Sequence, residues 1–185
     1  MGQDKALLPF LGEPLIERVI NRVGLLADEI LITTNNPEEY KVFNVLLFKD
    51  IHPGIGALGG LYTALSVCRY PFVIAVACDM PFVNTNILEM SLDMLQANNA
   101  DVVIPKTANG YEPFHAVYRR ETCLPAIIKA IQNGEERLIS WFSKVNIIPV
   151  DESQLLVHDP HRIAFMNLNT RQEFANAELL AKEFD

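Results

Sequence analysis

The chain has 185 residues, of which 50% are hydrophobic and 21% are charged, and its formal net charge is −8. The negative charge argues against a broad nucleic-acid surface, and no apolar run reaches the roughly 20 residues of a membrane span. The first residues carry no secretory signal pattern. We therefore expect one domain over residues 1–185, without nucleic-acid or membrane partners.

The cysteine pattern bears on the compartment. Cys68, Cys78 and Cys123 are odd in number and form no C-x-x-C pair. Disulfide frameworks and zinc sites of small proteins use paired, closely spaced cysteines, so these three are expected to be reduced, buried thiols. This pattern favours a cytoplasmic protein.

Hydrophobic periodicity divides the chain into helices and strands. Helical segments are predicted over residues 14–26, 37–43, 58–68, 84–97, 122–133, 137–144 and 170–183. Strands are predicted over residues 29–34, 45–48, 72–77, 100–105, 114–118, 146–150 and 164–168, and residues 151–163 are predicted to be irregular. Their alternation predicts an α/β fold with a mostly parallel sheet covered by helices on both faces. Such a fold would need a further strand before Met1.

The run Phe72–Phe82, F-V-I-A-V-A-C-D-M-P-F, changes abruptly from apolar residues to the carboxylate of Asp79. An apolar run without alternation predicts a strand buried on both faces. The carboxyl end of such a strand is where open α/β sheets bind ligands, and a lone carboxylate there suits magnesium. The alternative is that Asp79 caps the following helix, although Asn84 or Thr85 would make the better cap.

A glycine-rich stretch, I-H-P-G-I-G-A-L-G-G-L-Y, leads into the predicted helix 58–68. Gly54, Gly56, Gly59 and Gly60 would let backbone amides approach an anion at the helix amino end. The spacing fits neither a Walker loop nor the dinucleotide fingerprint. A tight turn that packs glycines against a neighbouring strand is the alternative.

Single polar residues are less informative by themselves. Spacing alone favours a solvated loop lysine at Lys5 over a phosphate contact. His115 lies in an apolar strand and is more typical of a hydrogen-bonded core histidine than of a ligand. Asn167 and Asn169 are two residues apart, so their side chains share one side of the predicted strand and suit either a turn or a polar substrate.

Several motifs occur in a characteristic order: M-G-x-D-K-A-L-L, G-A-L-G-G-L, C-D-M-P-F, E-P-F-H-A-V-Y-R-R, N-G-E-E-R-L and F-M-N-L-N-T. In this order they resemble the molybdenum cofactor guanylyltransferases, the MobA-like nucleotidyltransferases, over nearly the whole chain. The resemblance implies a Rossmann-like, three-layer α/β/α fold of the nucleotide-diphospho-sugar transferase type. It also implies Mg²⁺-dependent transfer of GMP from GTP to molybdopterin, giving molybdopterin guanine dinucleotide and pyrophosphate. Transient contacts with cofactor-delivery proteins or molybdoenzymes are implied as well.

The resemblance also carries expected residue roles. Lys5 would contact the triphosphate and Asp79 would bind magnesium, so these two are the expected catalytic residues. The nucleotide would further contact Asp50, either Thr33 or Asn35, and the pocket lined by Gly59 and Gly60. The pterin side would use Arg137, Asn167 and Asn169.

The chain departs from the family pattern at two places. A strand and an L-A-G-G loop normally precede M-G-x-D-K, whereas Met1 here is itself the Met of that motif. We expect that the sequence is truncated at its amino end, since the remaining motifs would otherwise have no evident role. In addition, Glu136 stands beside Arg137, where family members often carry a second basic residue.

Two other functions stay open at this point. One is a related enzyme with another base or acceptor, such as a molybdopterin cytidylyltransferase or a sugar-phosphate nucleotidyltransferase. The other is a degenerate protein that binds nucleotide or molybdopterin without catalysis. The absent loop motivates the second alternative, and because that loop would help to decide base preference, the sequence argues only weakly against the first.

Overall fold

The structure, a computed structural model, describes residues 4–184. The strands are β1 (Pro9–Phe10), β2 (Glu13–Pro14), β3 (Leu31–Thr33), β4 (Leu46–Phe48), β5 (Phe72–Val76), β6 (Val102–Thr107), β7 (Gly110–Tyr111), β8 (His115–Arg119) and β9 (Ile147–Val150). The α-helices are α1 (Leu15–Val23), α2 (Gly56–Val67), α3 (Thr85–Ala97), α4 (Arg120–Gln132), α5 (Glu152–His158) and α6 (Arg171–Phe184). Short 3₁₀ helices cover Lys5–Leu7, Pro37–Phe43 and Phe142–Lys144.

The strand pairing is mixed. β3 pairs with β4 in parallel, and β6 pairs with β9 in parallel. β8 lies between β5 and β6 and runs antiparallel to both, and β7 forms a hairpin with β6. The antiparallel pairs arise because the hairpin at β6 and β7 returns the chain into β8 without a crossover helix. The parallel pairs are those whose connections contain helical segments.

Helices cover both faces of the β5–β8–β6 sheet. Val102 packs on the side of α2 and α4, and the next residue, Val103, packs on the side of α3 and α5. Consecutive strand residues point to opposite faces of the sheet, and helices cover both faces here. The strands therefore carry apolar residues at consecutive positions, without polar alternation. The sheet therefore has the two helical layers expected from the sequence.

Local signals account for most helix ends. Asn84 caps α3, with its side chain accepting a hydrogen bond from the amide of Ile87 at 3.1 Å. Gly134, with φ of +76°, follows the end of α4, a position that favours glycine. Thr170 and Glu173 hold the amino end of α6.

Within residues 4–184, no helix combines the length and apolar character needed to cross a bilayer.

Two predicted segments are wrong. The stretch 151–163, expected to be irregular, contains α5, whose start is a capping box between Asp151 and Gln154. The sequence D-E-S-Q carries that signal, which the prediction did not use. The expected strand at 164–168 does not form; residues 164–165 lie in a turn, and Leu168 bonds to a single carbonyl, that of Asp79, at 3.0 Å.

A cleft of about 600 Å³ separates β3 from β5. We call it the interstrand cleft. Its walls are β3 and β5 at the sides and mainly α1 and α2 at the faces, and apolar side chains dominate its lining.

Candidate active site

Asp79 lies two residues beyond the alanine that extends β5, on a segment held at both sides. The amide of Ala77 donates to the carbonyl of Phe114 at 3.1 Å, and the amide of Leu168 donates to the backbone carbonyl of Asp79 at 3.0 Å. These contacts use the main chain, so the Asp79 carboxylate remains available for a ligand. Desolvation raises the pKa of the Asp79 carboxyl, and the nearby charge of Lys5 opposes that shift.

Lys5 stands beside the segment that follows Leu168. Its Nζ donates a hydrogen bond of 2.6 Å to Oδ1 of Asn169, a residue 164 positions later in the chain. The 3₁₀ turn that carries Lys5 is capped by Asp4, whose side chain accepts from the amide of Ala6 at 3.1 Å. The structure therefore brings Lys5, Asp79 and Asn169 together at one edge of the sheet.

Glu173 supports this arrangement from α6. Its carboxylate accepts hydrogen bonds from the amides of Asn169 and Thr170 at 2.6 and 2.8 Å, and these bonds lower the pKa of the Glu173 carboxyl. Residue Asn169 is thus tied by its backbone to α6 while its side chain holds Lys5. The capping pair was readable in the sequence, but its link to Lys5 was not.

A second group forms at the ends of β3 and β4. Nδ2 of Asn35 donates to Oδ2 of Asp50 at 3.3 Å. Oγ1 of Thr33 lies 3.4 Å from where a side-chain carbon on Gly60 would stand. Thr33 and Asn35 therefore both remain candidates for the nucleotide contact, one beside α2 and the other beside Asp50.

Tyr40 connects the two groups. It lies in the 3₁₀ helix that follows β3, and its hydroxyl donates to Oδ2 of Asp4 at 2.6 Å. Desolvation and this carboxylate raise the pKa of the Tyr40 hydroxyl. Desolvation, Asp79 and Asp4 also raise the pKa of the Cys78 thiol, to about 11. The Tyr40–Asp4 hydrogen bond therefore joins the segment after β3 to the turn that carries Lys5, near the carboxyl ends of strands, which is where α/β sheets bind ligands.

The two central glycines of the glycine-rich stretch have different surroundings. A Cβ on Gly59 would lie 2.9 Å from the carbonyl oxygen of His52 and 2.9 Å from Cγ1 of Ile55, so Gly59 is buried against the 52–55 loop. Gly60 is half-buried and lines the interstrand cleft beside Thr33. Close packing explains Gly59, whereas Gly60 borders open space.

Two residues expected on the pterin side are less constrained. Asn167 is exposed, and its Nδ2 donates to the carbonyl of Phe165 at 3.4 Å. Arg137 is exposed in the turn after α4. In the part of the chain that the structure describes, no hydrogen bond or ion pair joins the Arg137 side chain to the other candidate residues.

The residues present fit a magnesium ion whose coordination shell is completed by water and by the phosphates of the substrate. Between residues 4 and 184, no three His, Cys, Asp or Glu side chains form a metal-binding group. Mg²⁺ usually keeps several waters and binds through one or two carboxylates plus substrate phosphates. The half-buried Asp79 carboxylate at the sheet edge meets that requirement.

Comparison with known proteins agrees with this architecture. The crystal structure of molybdopterin-guanine dinucleotide biosynthesis protein A from Archaeoglobus fulgidus superposes with a TM-score of 0.84 at 23% identity, covering 99% of this chain and 93% of that one. The 2-C-methyl-D-erythritol 4-phosphate cytidylyltransferase of Thermus thermophilus gives a TM-score of 0.73 at 17% identity, covering 96% of this chain and 94% of that one. These likenesses confirm the predicted fold class.

Sequence relatives identify the family. A probable molybdenum cofactor guanylyltransferase of Clostridium perfringens is 33% identical over 174 residues, covering 93% of this chain and 86% of that protein. The molybdenum cofactor guanylyltransferase of Desulfosudis oleivorans is 29% identical over 181 residues, covering 98% and 89%. The family described as MobA-like NTP transferase domain matches residues 1–146. The chain therefore belongs to the MobA-like NTP transferase domain family and is a nucleotidyltransferase.

Proposed function

We propose that this nucleotidyltransferase transfers GMP from GTP to molybdopterin, giving molybdopterin guanine dinucleotide and pyrophosphate. The observation that carries the proposal is the 2.6 Å contact between Lys5 and Asn169. It joins a residue expected on the nucleotide side to one expected on the acceptor side, next to Asp79. The relatives of similar length that bear the guanylyltransferase name support the choice of substrates.

The nucleotide would lie along the carboxyl ends of β3, β4 and β5. Lys5 and Asp79 would face its phosphates, and the Asn35–Asp50 pair would face its ribose or base. Gly60, beside Thr33, would leave room for the nucleotide close to the backbone. Asn167, Asn169 and Arg137 would then face the molybdopterin.

The reaction depends mainly on how the two substrates are positioned relative to each other. A phosphate oxygen of molybdopterin attacks the α-phosphorus of GTP, a new P–O bond forms, and the bond to the β-phosphate oxygen breaks as pyrophosphate leaves with the electron pair. The attacking phosphate is already ionised near neutral pH, so no general base is required. Two anions must approach each other, so orientation and charge neutralisation supply most of the rate.

Each polar residue has a part in that task. The Lys5 ammonium would hold a phosphate oxygen as a point charge. Asp79 is the residue that would hold Mg²⁺, which neutralises charge on phosphate oxygens when it is bound. Asn169, fixed by Glu173, would keep Lys5 oriented and place its own amide toward the acceptor.

The test combines calorimetry with a single substitution. GTP, CTP and ATP are titrated into the chain with Mg²⁺, and selective binding of GTP is expected. Preferential binding of CTP would assign the chain to cytidylyl transfer instead, and binding of none of the three would contradict the proposal.

Asp79→Asn should lower GMP transfer by about 100-fold or more, the scale of removing one electrostatic group from a reacting centre. The fold should survive because Leu168 bonds to the backbone carbonyl of Asp79 and not to its carboxylate. Asp93→Asn on α3 is the matched control, since Asp93 is an exposed carboxylate that is not among the candidate site residues. Full activity in Asp79→Asn would refute the role of Asp79.

We further propose that the reaction takes place in the cytoplasm. Cys68, Cys78 and Cys123 are all free thiols in the structure, as in proteins of reducing compartments. Cys68 and Cys123 are buried as expected, whereas Cys78 is exposed, so the expectation of three buried thiols is wrong for Cys78. Delivery of molybdopterin and removal of the product would then involve transient contacts with other proteins of that compartment.

A further inference from the structure

Two separate stretches of chain carry candidate residues for the two substrates. The stretch 77–84 follows β5 and carries Asp79, and the stretch 158–169 leads from α5 to α6 and carries Asn167 and Asn169. We call them the Asp79 segment and the acceptor segment. The amide of Leu168 donates to the backbone carbonyl of Asp79 at 3.0 Å and joins the two segments once. The geometry between metal-binding and acceptor-side groups therefore depends on how these segments are held together.

The side chain of Asn84 joins the two segments a second time. Its Nδ2 donates to the carbonyl of His158 at 2.9 Å, across 74 positions of the chain. Its Oδ1 accepts from the amide of Ile87 at 3.1 Å and so caps α3. Capping requires only an oxygen, which serine or aspartate would supply as well. The bond from Nδ2 to the acceptor segment is therefore a contact that capping does not explain.

His115, at the start of β8, holds the main chain of Asn84. The amide of Asn84 donates to Nε2 of His115 at 3.0 Å. In a neutral imidazole whose Nε2 accepts, the proton lies on Nδ1. His115 is fully buried, and its Nδ1 has no hydrogen-bond partner in the part of the chain that the structure describes. Burying an unpaired N–H costs free energy, so an apolar side chain would suit this position better if the accepting Nε2 had no task.

The acceptor segment also has contacts that hold its own shape. The ring of Phe165 lies edge-on to the imidazole of His115, with 5.0 Å between the ring centroids. Asp159 is 5% exposed, and its carboxylate accepts hydrogen bonds from the amides of Ile163 and Ala164 at 3.0 and 2.9 Å. Because the turn 159–164 is closed on itself, a displacement at its first residue is carried to the residues that follow it.

We propose that Asn84 is a positioning residue, which couples the acceptor segment to the Asp79 segment and so fixes the bound acceptor relative to the metal-binding carboxylate. His115 contributes by holding the main chain of Asn84. The effect on GMP transfer rests on the proposed function, whereas the coupling of the two segments rests on the contacts alone. Transfer requires the reacting atoms in a near-attack geometry, and a misplacement of about 1 Å can cost about 100-fold in rate.

The test replaces Asn84 by aspartate. Asn84→Asp keeps an oxygen for the amide of Ile87 and removes the donor to the carbonyl of His158. The matched control is Asn98→Asp at the other end of α3, where Nδ2 of Asn98 donates to the carbonyl of Met94 at 2.8 Å. Each variant adds one negative charge and removes one amide-to-carbonyl bond, but only Asn84→Asp removes a bond to the acceptor segment.

Kinetics and calorimetry distinguish positioning from a loss of folded protein. In Asn84→Asp, kcat/KM for molybdopterin should fall about tenfold or more, whereas the Kd for GTP should stay within about threefold of the parent value. Asn98→Asp should match the parent in both. A loss of folded protein would instead lower the calorimetric stoichiometry for GTP, which should stay unchanged.

Two substitutions of His115 test the support of Asn84. His115→Phe keeps a buried ring and removes the acceptor for the amide of Asn84, so it should reproduce the loss of kcat/KM. His115→Gln supplies a side-chain oxygen that can accept from the same amide. It should keep kcat/KM within about threefold of the parent value.

Hydrogen exchange without any substrate tests the coupling itself. The amide of Leu168 should exchange about tenfold or more rapidly in Asn84→Asp and at the parent rate in Asn98→Asp. An unchanged exchange rate or an unchanged kcat/KM in Asn84→Asp would overturn the proposal, and so would an equal loss of GTP affinity. A parent chain that does not transfer GMP would refute the proposed function, and the exchange rates would still decide whether Asn84 couples the two segments.

Discussion

The adjacent glycines of α2 allow a matched test of how closely this helix packs on the 52–55 loop. A Cβ at Gly59 would stand 2.9 Å from the His52 carbonyl oxygen, closer than side-chain carbons normally come. At Gly60 the nearest atom would be Oγ1 of Thr33 at 3.4 Å, an ordinary contact. Gly59→Ala and Gly60→Ala therefore differ in close packing and share the same helix.

The expected magnitudes follow from two opposing effects. Alanine in a helix interior stabilises by about 0.5–1 kcal/mol relative to glycine. Forcing an extra carbon into a packed site costs about 1–3 kcal/mol. Gly60→Ala should therefore raise the free energy of unfolding by up to about 1 kcal/mol, and Gly59→Ala should be about 1–3 kcal/mol less stable than Gly60→Ala.

Urea denaturation of the two variants and the parent chain measures this difference directly. A change in the midpoint with an unchanged slope would show that stability alone has shifted. If Gly59→Ala were as stable as Gly60→Ala, the close approach of α2 to the His52 carbonyl would not be a constraint, and the packing explanation for Gly59 would fail.

Burial lowers the pKa of His115 from 6.5 to about 4, so between these values the folded protein keeps the imidazole neutral while the unfolded chain takes up a proton. The free energy of unfolding should therefore fall by about 3 kcal/mol between pH 7 and pH 4 because of this group. Urea denaturation of His115→Gln should show a correspondingly smaller dependence on pH. Asn169→Ala should raise the KM for molybdopterin and, because it also removes the hydrogen-bond partner of Lys5, weaken GTP binding about tenfold in calorimetry, whereas Asn167→Ala should raise only the KM for molybdopterin. Weakening of GTP binding by Asn167→Ala to the same extent would argue against two separate half-sites. Arg137→Ala should leave the free energy of unfolding within about 0.5 kcal/mol and raise the KM for molybdopterin; an unchanged KM would remove Arg137 from the site.

Local chemistry made much of the fold predictable. The apolar run of β5, the Asn84 cap of α3 and the glycine after α4 each depend on residues within a few positions of one another. The helix α5 was not predicted, although its Asp151–Gln154 capping box is a local signal of the same kind. Residues 164–168 have a strand-like composition but find no neighbouring edge to pair with, which depends on the rest of the fold.

In the candidate site, too, some positions could be predicted from the sequence and others only from the tertiary structure. Asp79 could be assigned from the sequence because a carboxylate directly after a buried strand has a defined place in an α/β sheet. Its neighbours could not be assigned from spacing, because Lys5 and Asn169 are separated by 164 positions and meet only when α6 packs beside the amino-terminal turn. The hydrogen bond between Tyr40 and Asp4 could not be predicted from the sequence either, since it joins the 3₁₀ helix Pro37–Phe43 to a residue 36 positions earlier in the chain.

What the sequence determined by itself is therefore the set of elements and the chemical types at their ends, since hydrophobic periodicity, caps and turns act over short distances. What only the tertiary structure decided is which ends meet and which edges remain unpaired. The mixed pairing around β8, the contact of Lys5 with Asn169 and the apolar interstrand cleft all depend on residues far apart in the chain. Their positions are set by packing of whole helices and strands, which no short stretch of sequence specifies.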